Sequence, residues 1–158
     1  MNSLERAINT TEEIRDALAA EIVVAREERV LIRSMDIDGL FARAAKRNDF
    51  NLRTAALQQR LGAELGDVAQ GFGLTEVTLE ALKAREPGLG QRMSTALAEV
   101  RSLAAALAEL DGLNKLLGQR ALSYVRAHLA VLSPRPSAYD RRGGTATANR
   151  SSTVVRVA

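Results

Sequence analysis

Apolar side chains recur at alternating steps of four and three residues over one long stretch. Leu89, Met93, Ala96, Val100, Leu103, Leu107, Leu110, Asn114, Leu117, Ala121, Tyr124, His128 and Val131 follow this rhythm without a miss. The spacing predicts a helix over about 88–133 that turns one heptad seam toward other helices. Asn114 and His128 are the seam's polar members. At the rise of an α-helix such an element is roughly 65 Å long.

Two further long helices are predicted upstream. In the first, over 3–35, Ile14, Leu18, Ile22 and Ala25 form a stripe that Leu31, Ile32 and Met35 continue. Thr10 or Thr11 with Glu13 offers a cap near residue 11, which leaves 1–10 as a loosely attached turn. Asp36-Ile37-Asp38-Gly39 is a break, with Asp36 as N-cap of the next helix. That helix is expected to run to about residue 66, with Ile37, Phe41, Ala44, Phe50, Leu57, Leu61, Leu65 and Val68 as its stripe. Gly66, Gly71, Phe72 and Gly73 mark a connector. A short helix through Thr75, Glu76, Leu79, Leu82 and Lys83 follows, and Pro87 ends it. The expected fold is all-α: an elongated antiparallel bundle of three main helices with a short connector helix. Residues 1–133 form the helical domain, and 134–158, rich in Gly, Ser, Thr and Arg without periodicity, form a disordered basic tail.

The last helix changes character along its length. Between 89 and 107 its large apolar side chains fall within an arc of about 90°. Between 110 and 132 Leu116 on one flank and Leu122, Val125 and Leu129 on the other widen the arc to about 240°. Lys115, Gln119, Ser123 and Arg126 are left for water. A face this wide asks for cover, and three kinds are open: a partner protein, a second copy, or helix one.

Composition narrows the chemistry. There is no Cys and one His among 158 residues, which removes disulfides, thiolate chemistry and Cys-ligated metals, and makes a His-based metal site or a Ser–His–Asp triad improbable. Asp36-x-Asp38-Gly39 lacks the later ligands of a calcium loop. None of the Gly pairs carries the Lys-Ser/Thr of a phosphate loop. His128 lies on the apolar seam between Ala127 and Leu129, away from a phosphotransfer context. No metal site, cofactor or catalytic residue is expected. The net charge is +3. Arg135, Arg141, Arg142, Arg150 and Arg156 against Asp140 place that surplus in the tail, so the helical part is near neutral and no nucleic-acid surface. One Arg142-Gly143-Gly144 triplet is a weak RNA signal. No membrane span and no apolar N-terminal leader are read, and the expected location is the cytoplasm.

Three segments carry a family likeness. Glu28-Arg29-Val30-Leu31-Ile32-Arg33-Ser34-Met35-Asp36-Ile37-Asp38-Gly39-Leu40 resembles the Glu-Arg, two aliphatics, then Asp-aliphatic-x-x-Leu pattern at the first helix junction of the FlgN-type flagellar export chaperones. Leu110-Asp111-Gly112-Leu113-Asn114-Lys115-Leu116-Leu117 resembles that family's Leu-Asn-x-x-Asn-x-x-Leu segment, with Asp111 in place of the first Asn. Ala138-Tyr139-Asp140-Arg141-Arg142-Gly143-Gly144 resembles the Tyr- and Gly-containing turn that opens its tail. The resemblance implies a non-enzymatic chaperone that holds terminal helices of flagellar hook-associated proteins and delivers them to the type III export gate. It leaves accessory proteins of the export ATPase open as further partners. On this reading Leu110, Leu113, Leu116, Leu117, Leu122, Tyr124, Val125, Leu129 and Leu132 contact the guest, Asn114 sets register on the seam, and Tyr139 docks on the gate. A self-associating coiled-coil adaptor is the alternative, followed by a tail-driven nucleic-acid binder.

Overall fold

The structure is a computed structural model that describes residues 2–132. It is all-helical across those residues, in the order α1 (Ser3–Ser34), α2 (Ile37–Phe72), α3 (Leu79–Arg85) and α4 (Pro87–Leu132). The chain divides into two compact units, Met1–Ser123 and a second that begins at Tyr124. The first unit holds the core.

α1 begins at Ser3, as the 3–35 reading expects, and not at the alternative cap near residue 11. Asn2 accepts from the Leu4 amide while the Glu5 side chain accepts from the Asn2 amide, a reciprocal capping box. Residues 3–10 are therefore helix and not a loose turn: Leu4, Ala7 and Ile8 are fully buried and Thr10 and Thr11 nearly so. The Thr pair sits inside the helix because each hydroxyl has a partner. Thr11 donates to the Ala7 carbonyl at 2.8 Å and Thr10 to Glu64 at 2.6 Å.

α1 ends with Met35 in the left-handed conformation, φ 53°, and half exposed, so Met35 is a cap and not a stripe residue. Asp36 starts α2 as expected, its side chain accepting from the Gly39 amide at 2.9 Å. A Cβ at Gly39 would come within 2.5 Å of the Asp36 carboxylate, so a larger residue there would displace the capping side chain. α2 continues past Gly66 to Phe72, and α3 starts at Leu79 under a Thr78 cap, later than the expected Thr75. Pro87 opens α4, where its missing amide costs nothing. At Gly90 α4 runs so close to α3 that a Cβ would meet the Lys83 amide nitrogen at 2.6 Å.

Two apolar clusters make the core. One joins Leu4, Ala7 and Ile8 of α1 to Val68, Leu82 and Met93. The other joins Ile14, Leu18, Ile22 and Ala25 to Leu57 and Leu107. Cross-helix pairs fix how α1 and α2 run. Arg6 meets Asp67, Thr10 meets Glu64, Arg60 meets Glu13 and Arg47 meets Glu21, so one number rises as the other falls. Between α1 and α4 both rise together: Glu12 with Arg92, Arg15 with Glu99, Arg29 with Asn114.

The buried stripe of α2 differs from expectation in its first half. Ile37, Phe41 and Ala44 face solvent, Phe41 with 73% of its surface exposed. The inward positions are Leu40, Arg43, Arg47, Phe50, Thr54, Leu57, Leu61, Glu64 and Val68, an unbroken alternation of three and four. The apolar residues lost the competition because two arginines on the other face find carboxylates across the helix interface.

Candidate functional site

Where the resemblance-bearing segments of α1 and α4 meet, the first unit contains a buried polar cluster. Glu21 and Arg43 are 6% and 5% exposed and form a charge-assisted pair. Arg43 also donates from Nε to Glu28 at 3.1 Å. Arg47 reaches Glu21 at 2.8 Å and grips both carboxylate oxygens of Asp111 on α4. Burial disfavours its charge, but the hydrogen bonds to Asp111 and Glu21 outweigh that and hold the Arg47 guanidinium above its ordinary pKa. One nitrogen of Arg43 and one of Arg29, Nη1 and Nη2, are buried without a partner.

Asn114 lies beside this cluster, 3% exposed. Its amide donates to the Ala25 carbonyl at 2.7 Å and its oxygen accepts from Arg29 Nε at 3.2 Å. The side chain thus joins α4 to one turn of α1 through both of its polar atoms. Glu28 and Arg29, adjacent in sequence, work in opposite directions: Glu28 holds α2 and Arg29 holds α4. Asp111, where the family pattern has Asn, faces the Arg47 cation.

Sequence reasoning missed Glu21, Arg43 and Arg47. The signal was present as spacing. Leu4, Ala7, Thr11, Ile14, Leu18, Glu21, Ala25, Glu28 and Ile32 step by three and four throughout. A charge at a seam position calls for an opposite charge on the facing seam, and α2 supplies two.

The candidate guest residues are distributed unevenly. In the first unit Leu110 and Leu117 are half-buried, while Leu113, Leu116 and Leu122 are 45–50% exposed. The described part of the second unit, residues 124–132, is exposed at every position. Tyr124, Val125, Leu129 and Leu132 are there, with Val131 84% exposed. The heptad seam continues in sequence through Tyr124, His128 and Val131, but those three are uncovered, contrary to a packed seam. Tyr124 and His128 face each other, rings 4.2 Å apart, and His128 Nδ1 lies 3.1 Å from the Tyr124 carbonyl oxygen. Tyr139 and the tail lie outside the described residues.

Among the described residues no helix is long and apolar enough to cross a membrane, and no three metal-ligating side chains cluster. The first unit also contains a groove lined by Glu28, Ile32, Leu40, Arg47, Asp111, Asn114, Lys115 and Gly118.

No curated protein and no solved structure matches this chain. A family described as FlgN protein matches residues 1–147, which span both helix junction segments, the whole of α4 and the Tyr139 segment. With the Glu28-Arg29 and Asp111–Asn114 segments joined in one cluster and a match over nearly its whole length, the chain belongs to the FlgN family of flagellar chaperones.

Proposed function

We propose that this protein is a cytoplasmic export chaperone that holds the terminal helices of hook-associated proteins and delivers them to the type III export gate. The observation that carries the reading is the row of large apolar side chains left exposed on α4 after the core is complete: Leu113, Leu116 and Leu122 in the first unit, Tyr124, Val125, Leu129 and Leu132 in the second. Soluble chains keep such side chains exposed chiefly where a partner covers them. A helical guest suits them because helix packing needs only a stripe of apolar knobs at heptad spacing. The order of the ion pairs supports an antiparallel bundle of three main helices as the frame that presents α4. Asn114, bonded to α1 through both polar atoms, sets the register of that frame.

Tyr139 is assigned to gate docking on the family resemblance. An aromatic ring gives a large contact area for few frozen torsions, which suits a reversible anchor. Replacement of the chromosomal gene by Tyr139→Ala in the bacterium that encodes it tests the division of labour. The expected result is normal co-purification of hook-associated proteins with the variant and reduced secretion of them into the medium. Normal secretion, or loss of co-purification, would contradict it.

A further inference from the structure

The chemistry of the guest is readable from the groove beside Asn114, given the chaperone reading above. From Gly112 to Leu132 α4 carries Lys115, Arg120, Arg126 and His128 and no carboxylate. In the groove the charged lining residues are Glu28, Arg47, Asp111 and Lys115. Glu28 and Asp111 are each ion-paired within the chain, to Arg43 and Arg47, which they share with Glu21. Lys115 has no hydrogen bond or ion pair among the described residues. The groove therefore presents the half-buried Leu40, with Ile32 buried at its floor, beside one lining cation that has no partner among the described residues.

Gly118 is the second observation. It lies in the interior of α4 and lines the groove, yet a Cβ there would meet nothing within 4 Å. Glycine in a helix interior is less favourable than alanine. No described residue requires it, in contrast to Gly90, where α3 leaves no room. A bare backbone facing an open groove is the arrangement that lets another backbone come close.

We propose that this groove receives an amphipathic guest helix whose apolar stripe is flanked by Asp or Glu, with its closest approach over Gly118 and its carboxylates toward Lys115. The sign of the charge separates this occupant from the two others the chain itself offers. The protein's own tail carries five arginines against one aspartate, so it brings like charge to a stretch of α4, Gly112 to Leu132, whose charged side chains are all basic. A second copy docked through the same stretch would bring one such set of basic side chains against another. Like charges brought together in a desolvated interface disfavour both.

The test uses the full-length chain and two labelled helical peptides of about 20 residues. They share one Leu heptad stripe and differ only in flanks of Glu or Lys. Fluorescence anisotropy should show the Glu-flanked peptide binding at least about tenfold tighter at low salt, with the gap narrowing as salt rises. Lys115→Glu should remove or reverse the preference. Gly118→Leu should abolish binding of the Glu-flanked peptide with the thermal melt unchanged or raised. Gly118→Ala, which favours the helix, should raise the melting temperature and weaken binding. Equal affinity for the two peptides, failure to bind either, undiminished binding by Gly118→Leu, or binding to anionic phospholipid vesicles in place of the Glu-flanked peptide would each overturn the inference. If hook-associated proteins still co-purify with the Gly118→Leu chain, this groove is not the guest's seat and the chaperone reading stands. If they co-purify with no form of the protein, that reading itself fails.

Discussion

Glu21 and Arg43 illustrate how a buried ion pair is held. Each is more than nine-tenths buried, and each has further partners, Arg47 and Glu28. Two charges removed from water lose hydration worth several kcal/mol apiece, which their attraction offsets only when both are present. Arg43→Met alone should therefore destabilise the fold by about 3–5 kcal/mol, since it leaves Glu21 buried with a weaker complement. Glu21→Met with Arg43→Met should recover most of that loss, because the apolar pair packs without desolvation. Denaturant titrations of the single and double variants decide it. Equal destabilisation by both would show that the pair contributes through its own attraction. The pair was not legible as a pair: Arg43 reads like any surface arginine until its facing residue is known.

At the scale of elements, the helices were legible and their rotation was less so. The seam of α4 from Leu89 to Ala121 is buried or half-buried as its spacing predicts. The second half of α2 follows its stripe, with Leu57 and Val68 buried and Leu61 and Leu65 half-buried, while Thr54 and Glu64 share the inward face. In the first half Ile37 and Phe41 at one angle compete with Arg43 and Arg47 at another, and hydrophobicity alone chose the wrong side. Leu57→Ala and Leu107→Ala, both within the second core cluster, should each cost about 2–5 kcal/mol in thermal or chemical unfolding. Phe41→Ser should shift the melt very little, since its ring is mostly in water already. A large loss at Phe41 with none at Leu57 would mean α2 is rotated from the position described. The α1–α4 contact adds a pH signature. Arg92 donates to both carboxylate oxygens of Glu12 at 2.7 and 2.8 Å, and that hydrogen bonding holds Glu12 below its ordinary pKa of 4.5. A carboxylate with a lowered folded pKa stabilises fully above its unfolded value and loses that contribution as pH falls through the folded one. The melting temperatures of the parent and Arg92→Ala should differ at neutral pH and converge at pH well below 4.5. A gap that stays constant into acid would show that the contact is not electrostatic.

For the whole molecule, the family segments and the proposed guest residues are placed differently. Glu28 of α1 and Asp111 of α4 are bonded to arginines of α2, and Arg29 and Asn114 join α1 to α4. The large leucines of α4 beyond Asn114 are not engaged to the same degree. The width of the apolar arc was legible in the sequence because it depends only on helical geometry. The lock beneath it was legible only as a resemblance, since its bonds join residues 85 and 64 positions apart. A self-sufficient core and the proposed holding surface are separable, and one titration addresses that separation. Leu116, Leu122 and Leu129, replaced together by Glu, are titrated by calorimetry with the terminal helical segment of the bacterium's hook-associated protein, beside a thermal melt of the same variant. The prediction is loss of the binding heat with helicity and melting temperature nearly unchanged. Retained binding, or a collapse of the fold, would contradict the assignment of those residues to the guest.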